Sequence, residues 1–490
     1  MINFLKNKII IKIIGMIILA EGSALLPCLL IALINKENTA LPLSVMAVCY
    51  LVVGISITFF FKITRQRMKH GEGFLISTIS WITAIILGTL PFFLSTDSGF
   101  TQCLFESTAG FTTTAAHALD LNILPSSLIL WRALISWLGG IGILVLVISF
   151  LPSLGISGAN IASAETTGPY IDRFEENFFS LGKFLYTTYL IFTGAEFLLL
   201  LIGGVPAFDA LVNTLTSVST GGLLITEANR AFFASTFVKV VIAFFSLLLS
   251  INFVFYYYLK SGRKKTYTGN TETSAFLIII ASACMLISLD LFGSGTYTNL
   301  LSAFKDSILQ VISFASTSGF YVTDYTEWPT FSVVILFILM LIGGCSLSTA
   351  GSLKVIRFIV FLKLIARGLF KQIHPRSVKA IKIKGKAVSA ERASEITAHI
   401  ILYFFVLFFS FLIIGLNNMD METTITSSIA LFSNTGPALG VPGANASYSS
   451  FSDLSLVYMS FLMMLGRLEM TSILVLFTRS YRKINRPEQF

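Results

Sequence analysis

Charge is what this sequence has least of. Asp, Glu, Lys and Arg make up 12% of its 490 residues, against about 25% in an ordinary soluble protein. That scarcity excludes a water-bathed globular surface. Histidine is nearly absent, with four in the whole chain. The five cysteines, Cys28, Cys49, Cys103, Cys284 and Cys345, have no metal-ligand spacing and mostly sit in apolar runs. They read as small buried residues, which excludes a disulfide scaffold and a protein metal cluster. No Rossmann-type or P-loop glycine pattern occurs, so nucleotide chemistry is not expected on this chain. The apolar runs hold no convergent His, Asp or Glu, which argues against a membrane-embedded enzyme.

Hydrophobic residues, by contrast, reach 55% of the chain. Runs of about 20 apolar residues recur, the length that crosses a bilayer core. They are rich in Leu, Ile and Phe without period-2 alternation, so helices are expected rather than barrel strands. The fold class is an all-α polytopic membrane protein. The basic start, Met1 to Lys8, leads into an apolar stretch to Ile34, too long for a signal-peptide core and read as a first span. A second span covers about Leu43 to Phe61.

The net charge of +9 points to topology, not to nucleic acid. Only Lys36, Arg132, Arg230, Lys239 and Lys305 fall in segments assigned to the outside, leaving 29 (34 − 5) of the basic residues elsewhere. This asymmetry places both termini in the cytoplasm. The loops Lys62–Gly73, Pro152–Lys183, Lys260–Thr273 and Lys363–Glu395 are then cytoplasmic. The last carries Lys379, Lys382, Lys384 and Lys386, which read equally as a solvated face on anionic lipid or a docking face for a cytosolic partner.

Beyond the first two spans, one pattern recurs four times: a span, a short amphiphilic segment ending in hydroxyl residues, and a second span. The short segments are Thr101–Phe111, Phe208–Val218, Leu300–Ala315 and Thr423–Phe432. The leading spans are Phe74–Leu94, Phe184–Ile202, Ala275–Phe292 and Ile396–Leu416. The return spans are Trp131–Leu151, Phe237–Leu259, Phe331 to about Leu364, and Leu454–Phe477. The hydroxyl-rich ends read Thr112-Thr113-Thr114-Ala115, Ser219-Thr220-Gly221-Gly222, Ser316-Thr317-Ser318-Gly319 and Ser433-Asn434-Thr435-Gly436. Their last residues lie 107 (222 − 115), 97 (319 − 222) and 117 (436 − 319) residues apart. So regular a period implies tandem duplication. The expected division is 1–72, an N-terminal helix pair; 73–182, 183–273, 274–395 and 396–490, four repeats. The short segments cannot span a bilayer and read as re-entrant pore helices, which makes ten membrane helices in all.

A ring of four such ends has the chemistry of a cation filter. Backbone carbonyls replace the hydration shell of the ion, and glycine permits the extended turn that aims them. The carboxyl ends of four pore helices add negative potential. A second cluster, Gly343, Gly344, Ser346, Ser348, Thr349 and Gly351, interrupts the third return span up to Ser352. Irregular backbone at membrane depth is expected only where it lines a cavity or is buried in protein; a small-residue packing patch is the other reading. Arg467 is a charge inside a span and needs a partner other than Glu469, which is two residues on and off its face. Lys354 either accompanies Arg467 or ends the third return helix at the inner surface. Glu106 reads as a buried hydrogen-bonding group and Asp209 as a helix N-terminal charge.

These motifs resemble the Trk/Ktr/HKT superfamily of potassium transporters, in particular its Trk branch. The resemblance rests on Phe105–Thr114, Ser136–Gly142, Gly343–Arg357, Ser433–Gly440 and Gly466–Glu469 and covers essentially the whole chain. It implies a pseudo-fourfold pore in a bacterial inner membrane, with potassium held at the filter carbonyls. It also implies a gating loop at 343–352, Arg467 in the permeation path, a homodimer, and a cytosolic nucleotide-binding regulatory ring. The chain departs from the family at Ala115, where glycine is usual. In plant relatives a serine at this place accompanies sodium preference, so a sodium-selective or mixed transporter of the same fold is the alternative. A secondary transporter of an organic solute is more distant, because such sites favour paired charges or broken helices at the midplane.

Overall fold

A computed structural model describes residues 2–61, 70–142, 178–260, 271–320, 323–377, 380–383 and 386–478. It is helical apart from one two-stranded hairpin pairing Lys382–Ile383 with Lys386–Ala387. Among the described residues, six helices are long and apolar enough to cross a membrane: Ile10–Ile34, Ala40–Phe60, Gly73–Ser95, Gly182–Ile202, Thr271–Gly293 and Ala390–Gly415. Their outward faces carry exposed Leu30, Val48, Phe59, Ile278, Phe405 and Leu412, an apolar exterior that only lipid would leave uncharged.

The four short helices form where the sequence predicts them, at Phe100–Phe111, Ala207–Val218, Leu300–Ala315 and Met421–Phe432. Their starts are set by local chemistry. Asn299 caps the third by accepting the Leu301 N–H, and Asp420 caps the fourth by accepting from Thr423. The Asp420 carboxyl is held below the usual carboxylate range by its bonds from the Thr423 hydroxyl and N–H.

The return spans differ from expectation. Each is a helix of 13 to 16 residues: Ser126–Ile141, Thr236–Ser250, Thr330–Ile342 and Asp453–Arg467. At 1.5 Å per residue these reach only about 20–24 Å, short of the bilayer core. Each then breaks. Gly142 turns at φ 87°, Ile251 is extended, Gly343 turns at φ 69°, and Glu469 sits at φ 53°. Helix resumes at Val254–Lys260, Val355–Ile373 and Met470–Leu474; the remainder of the first return span lies outside the described residues. The expected loop Lys363–Glu395 is likewise corrected: helix runs on to Ile373, the hairpin follows, and helix begins again at Ala390. Lys379 and Lys384, the tail from Arg479 and most of the other inter-repeat loops lie outside the described residues.

Packing closes a ring. Every short helix packs against its own leading helix and its own return helix. Every return helix also packs against a short helix of another unit: first on second, second on third, third on fourth, and fourth back on first. The N-terminal pair stands outside this cycle, with Ile2–Ile34 against the first leading and return helices.

Candidate functional site

The four short helices end in one geometry. Thr112, Ser219, Ser316 and Ser433 are the last turn, at φ between −76° and −80°. Thr113, Thr220, Thr317 and Asn434 follow in the left-handed region, at φ 54°, 58°, 55° and 56°. Their N–H groups donate to the carbonyls of Gly110, Ser217, Phe314 and Leu431. The next N–H groups, of Thr114, Gly221, Ser318 and Thr435, donate to Ala109, Thr216, Ser313 and Ala430. This is a Schellman turn with threonine or asparagine where glycine is usual. A β-branched residue held there costs about 1–3 kcal/mol and marks a site that packing enforces.

Hydroxyls brace the turns from behind. Thr112 bonds Thr114 at 2.9 Å, Ser316 bonds Ser318 at 2.8 Å, and Ser433 bonds Thr435 at 3.0 Å. The second turn has Gly221 in place of the second hydroxyl, and Ser219 bonds Ser136 of the first return helix at 2.9 Å instead.

The turns meet at one place. A Cβ added at Gly222 would lie 2.4 Å from the Ala115 Cβ, one at Gly319 would lie 2.2 Å from the Thr435 carbonyl oxygen, and one at Gly436 would lie 2.3 Å from the Ala115 carbonyl oxygen. Asn434 Nδ2 donates to Thr114 Oγ1 at 3.2 Å and to the Met463 carbonyl at 2.9 Å. Tyr448 donates its hydroxyl to the Gly436 carbonyl and Tyr325 to that of Ala438, both at 2.8 Å, so two tyrosines strap the fourth loop. All sixteen predicted loop residues therefore sit in four matched loops that converge.

One of the four is different. Gly222, Gly319 and Gly436 take φ of 87°, 64° and 108°, whereas Ala115 is not among the positive-φ residues. Its N–H donates to the Thr435 carbonyl at 3.1 Å.

The second predicted cluster lies against these turns. Gly351 donates its N–H to Thr317 Oγ1 at 2.7 Å, and a Cβ at Gly351 would stand 2.4 Å from the Ser433 carbonyl oxygen. The loop is tied on several sides. Ser346 N–H donates to Glu272 Oε1 at 2.6 Å, Cys345 N–H to the Ser250 carbonyl at 2.9 Å, and Ser352 Oγ to the Leu341 carbonyl at 2.6 Å. Ser348 bonds back to the Cys345 carbonyl. Gly343, Leu347, Ser352 and Lys354 all take positive φ, and Val355 N–H donates to the Gly344 carbonyl. Lys354 does not end a helix. It is buried, precedes the helix Val355–Ile373, and donates to the Ala350 carbonyl.

Arg467 reaches the same loop. It donates through Nη1 to the Thr349 carbonyl at 2.7 Å and through Nη2 to the carbonyls of Gly139 and Gly140 at 2.8 and 2.9 Å. It thus links three return segments by backbone acceptors. Glu469 turns away and bonds Arg357 at 2.6 Å. Arg467, Lys354, Gly142, Phe253 and Gly466 border a cavity of ≈ 120 Å³ on the face of the loop. The carbonyls and hydroxyls of the four turns can coordinate a small cation, and Lys354 and Arg467 at the cavity can repel one.

Several contributors escaped sequence reasoning. Arg132, counted with the outer charges, is 2% exposed and bonds Glu106 at 2.7 Å. Glu106 meets its expectation and more, since Oε2 also accepts from the N–H groups of Ala118 and Leu119 at 3.0 and 3.3 Å. Glu196 is buried and accepts from Ser217 at 2.5 Å. A charged residue within an apolar run was the available signal for Arg132 and Glu196. Asp209 lies in the first turn of its helix, as read, and also accepts from Asn229 at 2.9 Å.

Comparison with known proteins gives consistent matches. A family model described as "TrkH: Cation transport protein" matches residues 43–484. The chain is 32% identical over 480 residues to the Trk system potassium uptake protein TrkH of Salmonella typhimurium, covering 97% of this chain and 99% of that one. It is 28% identical over 478 residues to the Trk system potassium uptake protein TrkG of Escherichia coli, covering 96% and 98%. The crystal structure of the potassium transporter TrkH from Vibrio parahaemolyticus superposes with a TM-score of 0.84 at 28% identity, over 97% of this chain and 99% of that one.

Proposed function

The chain belongs to the TrkH family of cation transport proteins, and from that membership we propose that it conducts potassium through the centre of its ring of four loops. It is not an enzyme. The observation that carries the reading is the cycle: each return helix packs on a short helix of the next unit, and all four short helices end in the same left-handed turn. The units 1–72, 73–182, 183–273, 274–395 and 396–490 are the expected products of duplication around that axis.

In this reading the carbonyls and hydroxyls of 112–115, 219–222, 316–319 and 433–436 take the place of water around a dehydrated potassium ion. Four helix C-termini reinforce the negative potential there. Potassium is cargo, held only at these loops. The 343–352 loop, bonded to Thr317 through Gly351, lies across the path and gates it. Arg467 pins that loop through Thr349 and places a positive charge beside the path, which opposes cation flow while the gate is closed. The protein sits in the bacterial inner membrane with both termini cytoplasmic, works as a homodimer, and is opened by a cytosolic nucleotide-binding ring.

A sodium-conducting or mixed transporter is favoured by one observation: Ala115 lacks the positive φ of its three counterparts, and its N–H occupies the Thr435 carbonyl. Purified protein in sealed vesicles, tested for potassium, rubidium and sodium uptake, decides both points. Potassium and rubidium uptake exceeding sodium is the expected outcome. Sodium uptake exceeding potassium installs the second reading. No monovalent-cation flux, even with the regulatory ring added, ends both.

A further inference from the structure

The three glycine-bearing loops set their backbone by glycine's freedom at positive φ. The first loop has no glycine there, and it is the one braced by a buried ion pair. Arg132 Nη2 donates to the carbonyls of Thr114 and Ala116 at 3.1 and 3.3 Å, the residues before and after Ala115. Arg132 Nε is seated on Glu106 Oε1 at 2.7 Å. Glu106, fully buried, holds the next stretch of the same loop by accepting from Ala118 and Leu119.

The other units offer an internal comparison. Glu106 stands seven residues before the left-handed Thr113 (113 − 106), and the matching positions before Thr220, Thr317 and Asn434 are Asn213, Gln310 and Ser427. All are buried. Asn213 Oδ1 accepts one loop N–H, from Leu224 at 2.8 Å. So a polar residue behind the loop is common to the four, but a charge stands there in the first alone, opposite Arg132.

We propose that Arg132, seated on Glu106, is a positioning residue that determines ion specificity: its guanidinium clamps the carbonyls of Thr114 and Ala116, one before and one after Ala115, and fixes the first loop where the other three rely on a glycine turn. The planar fork makes this possible, since one guanidinium reaches a carboxylate and two carbonyls at once, which an ammonium on a flexible stem cannot do in the same geometry. Both carbonyls are committed to a cation, so the first quarter presents a fixed and weakened field to the ion. Glycine at 115 therefore matters more once the clamp is removed than while it holds.

The proposal rests on the transport reading, and its test separates the two. Wild type, Ala115→Gly, Arg132→Lys and the double variant are reconstituted, and the potassium-to-sodium permeability ratio is measured from reversal potentials or paired fluxes. Arg132→Lys is expected to lower the ratio about fivefold or more, the double variant to recover to within about twofold of wild type, and Ala115→Gly to raise the ratio by a larger factor in the Arg132→Lys background than in wild type, a coupling that independent sites do not show. If Arg132→Lys does not yield folded protein, Glu106→Gln replaces it and is expected to lower the ratio in the same direction. A ratio unchanged in the folded Arg132 or Glu106 variant, or a loss of flux at constant ratio, overturns the proposal and leaves a structural ion pair. A double variant no better than the Arg132 variant also overturns it. Absence of any flux in wild type instead overturns the transport reading.

Discussion

Thr317 shows how one residue serves its own turn and the 343–352 loop that lies against it. Its backbone sits at φ 55°, a strained place for a β-branched residue, while its Oγ1 accepts the Gly351 N–H at 2.7 Å. Valine has the same branching and no acceptor. Thr317→Val therefore keeps the turn but orphans the buried N–H, which costs about 1–3 kcal/mol in the closed arrangement alone. Basal rubidium flux is expected to rise about fivefold or more, the share of that cost that shifts the closed-to-open balance, while the potassium-to-sodium ratio stays within about twofold. Unchanged flux in a folded variant would show that this bond does not hold the gate. None of this was legible in the sequence, which displays Thr317 and Gly351 as members of two separate motifs. The bond between them spans 34 residues and exists because two return segments bring the loop against the turn. Glu106 and Arg132 were hidden for the same reason: each is readable as a charge in an apolar run, but their pairing belongs to the packing.

At the scale of elements, the short helices were the legible part. Leu300–Ala315 runs between the residues that the sequence marks, because a capping Asn299 and a hydroxyl-rich end punctuate it. The return helices were not. Residues Ile251–Phe253 break the second one without Pro or Gly, so apolar patterning runs straight across the break. Although Gly139, Gly140 and Gly142 carry the same signal at the first break, the third break alone was read from the sequence, through its glycines. Those glycines have distinct duties. Gly343 supplies a turn at φ 69°, whereas Gly351 supplies room, with the Ser433 carbonyl oxygen 2.4 Å and the Asn434 Cβ 3.1 Å from where a Cβ would go. Gly351→Ala cannot be accommodated without moving the loop or the turn, an overpacking strain of about 1–3 kcal/mol. The loop is the weaker partner, since it is held by scattered bonds and the turn by a helix end. The variant is expected to raise basal flux with little change in the ion ratio. A lowered ratio with unchanged basal flux would mean that the turn yields instead, and that the loop is the rigid element.

At the scale of the molecule, the proposed reading makes ion binding and ring closure one equilibrium. No single repeat would form that site, because each would contribute one quarter of the ligands, and the quarters are joined by the cyclic packing of return helices on neighbouring short helices and by bonds between loops such as Asn434 to Thr114. A cation at the centre would thus be bound by the assembled ring and not by any part of it. By mass action it stabilises that assembled state by RT ln(1 + [L]/Kd), about 2.7 kcal/mol when the ion is at a hundred times its dissociation constant. The protein in detergent should accordingly melt at a higher temperature in potassium or rubidium than in choline at equal ionic strength. The increment should grow with the logarithm of concentration and then keep growing without a plateau, as linkage requires. Sodium supplies the comparison within the same measurement. A smaller increment than potassium supports a potassium-selective ring, and an equal or larger one supports the sodium or mixed reading without recourse to flux. Arg132→Lys should shrink the difference between the two ions if the clamp sets the first quarter. A melting temperature indifferent to every monovalent cation would mean that the four loops meet without forming a site. In that case their convergence around Ala115 would be packing alone.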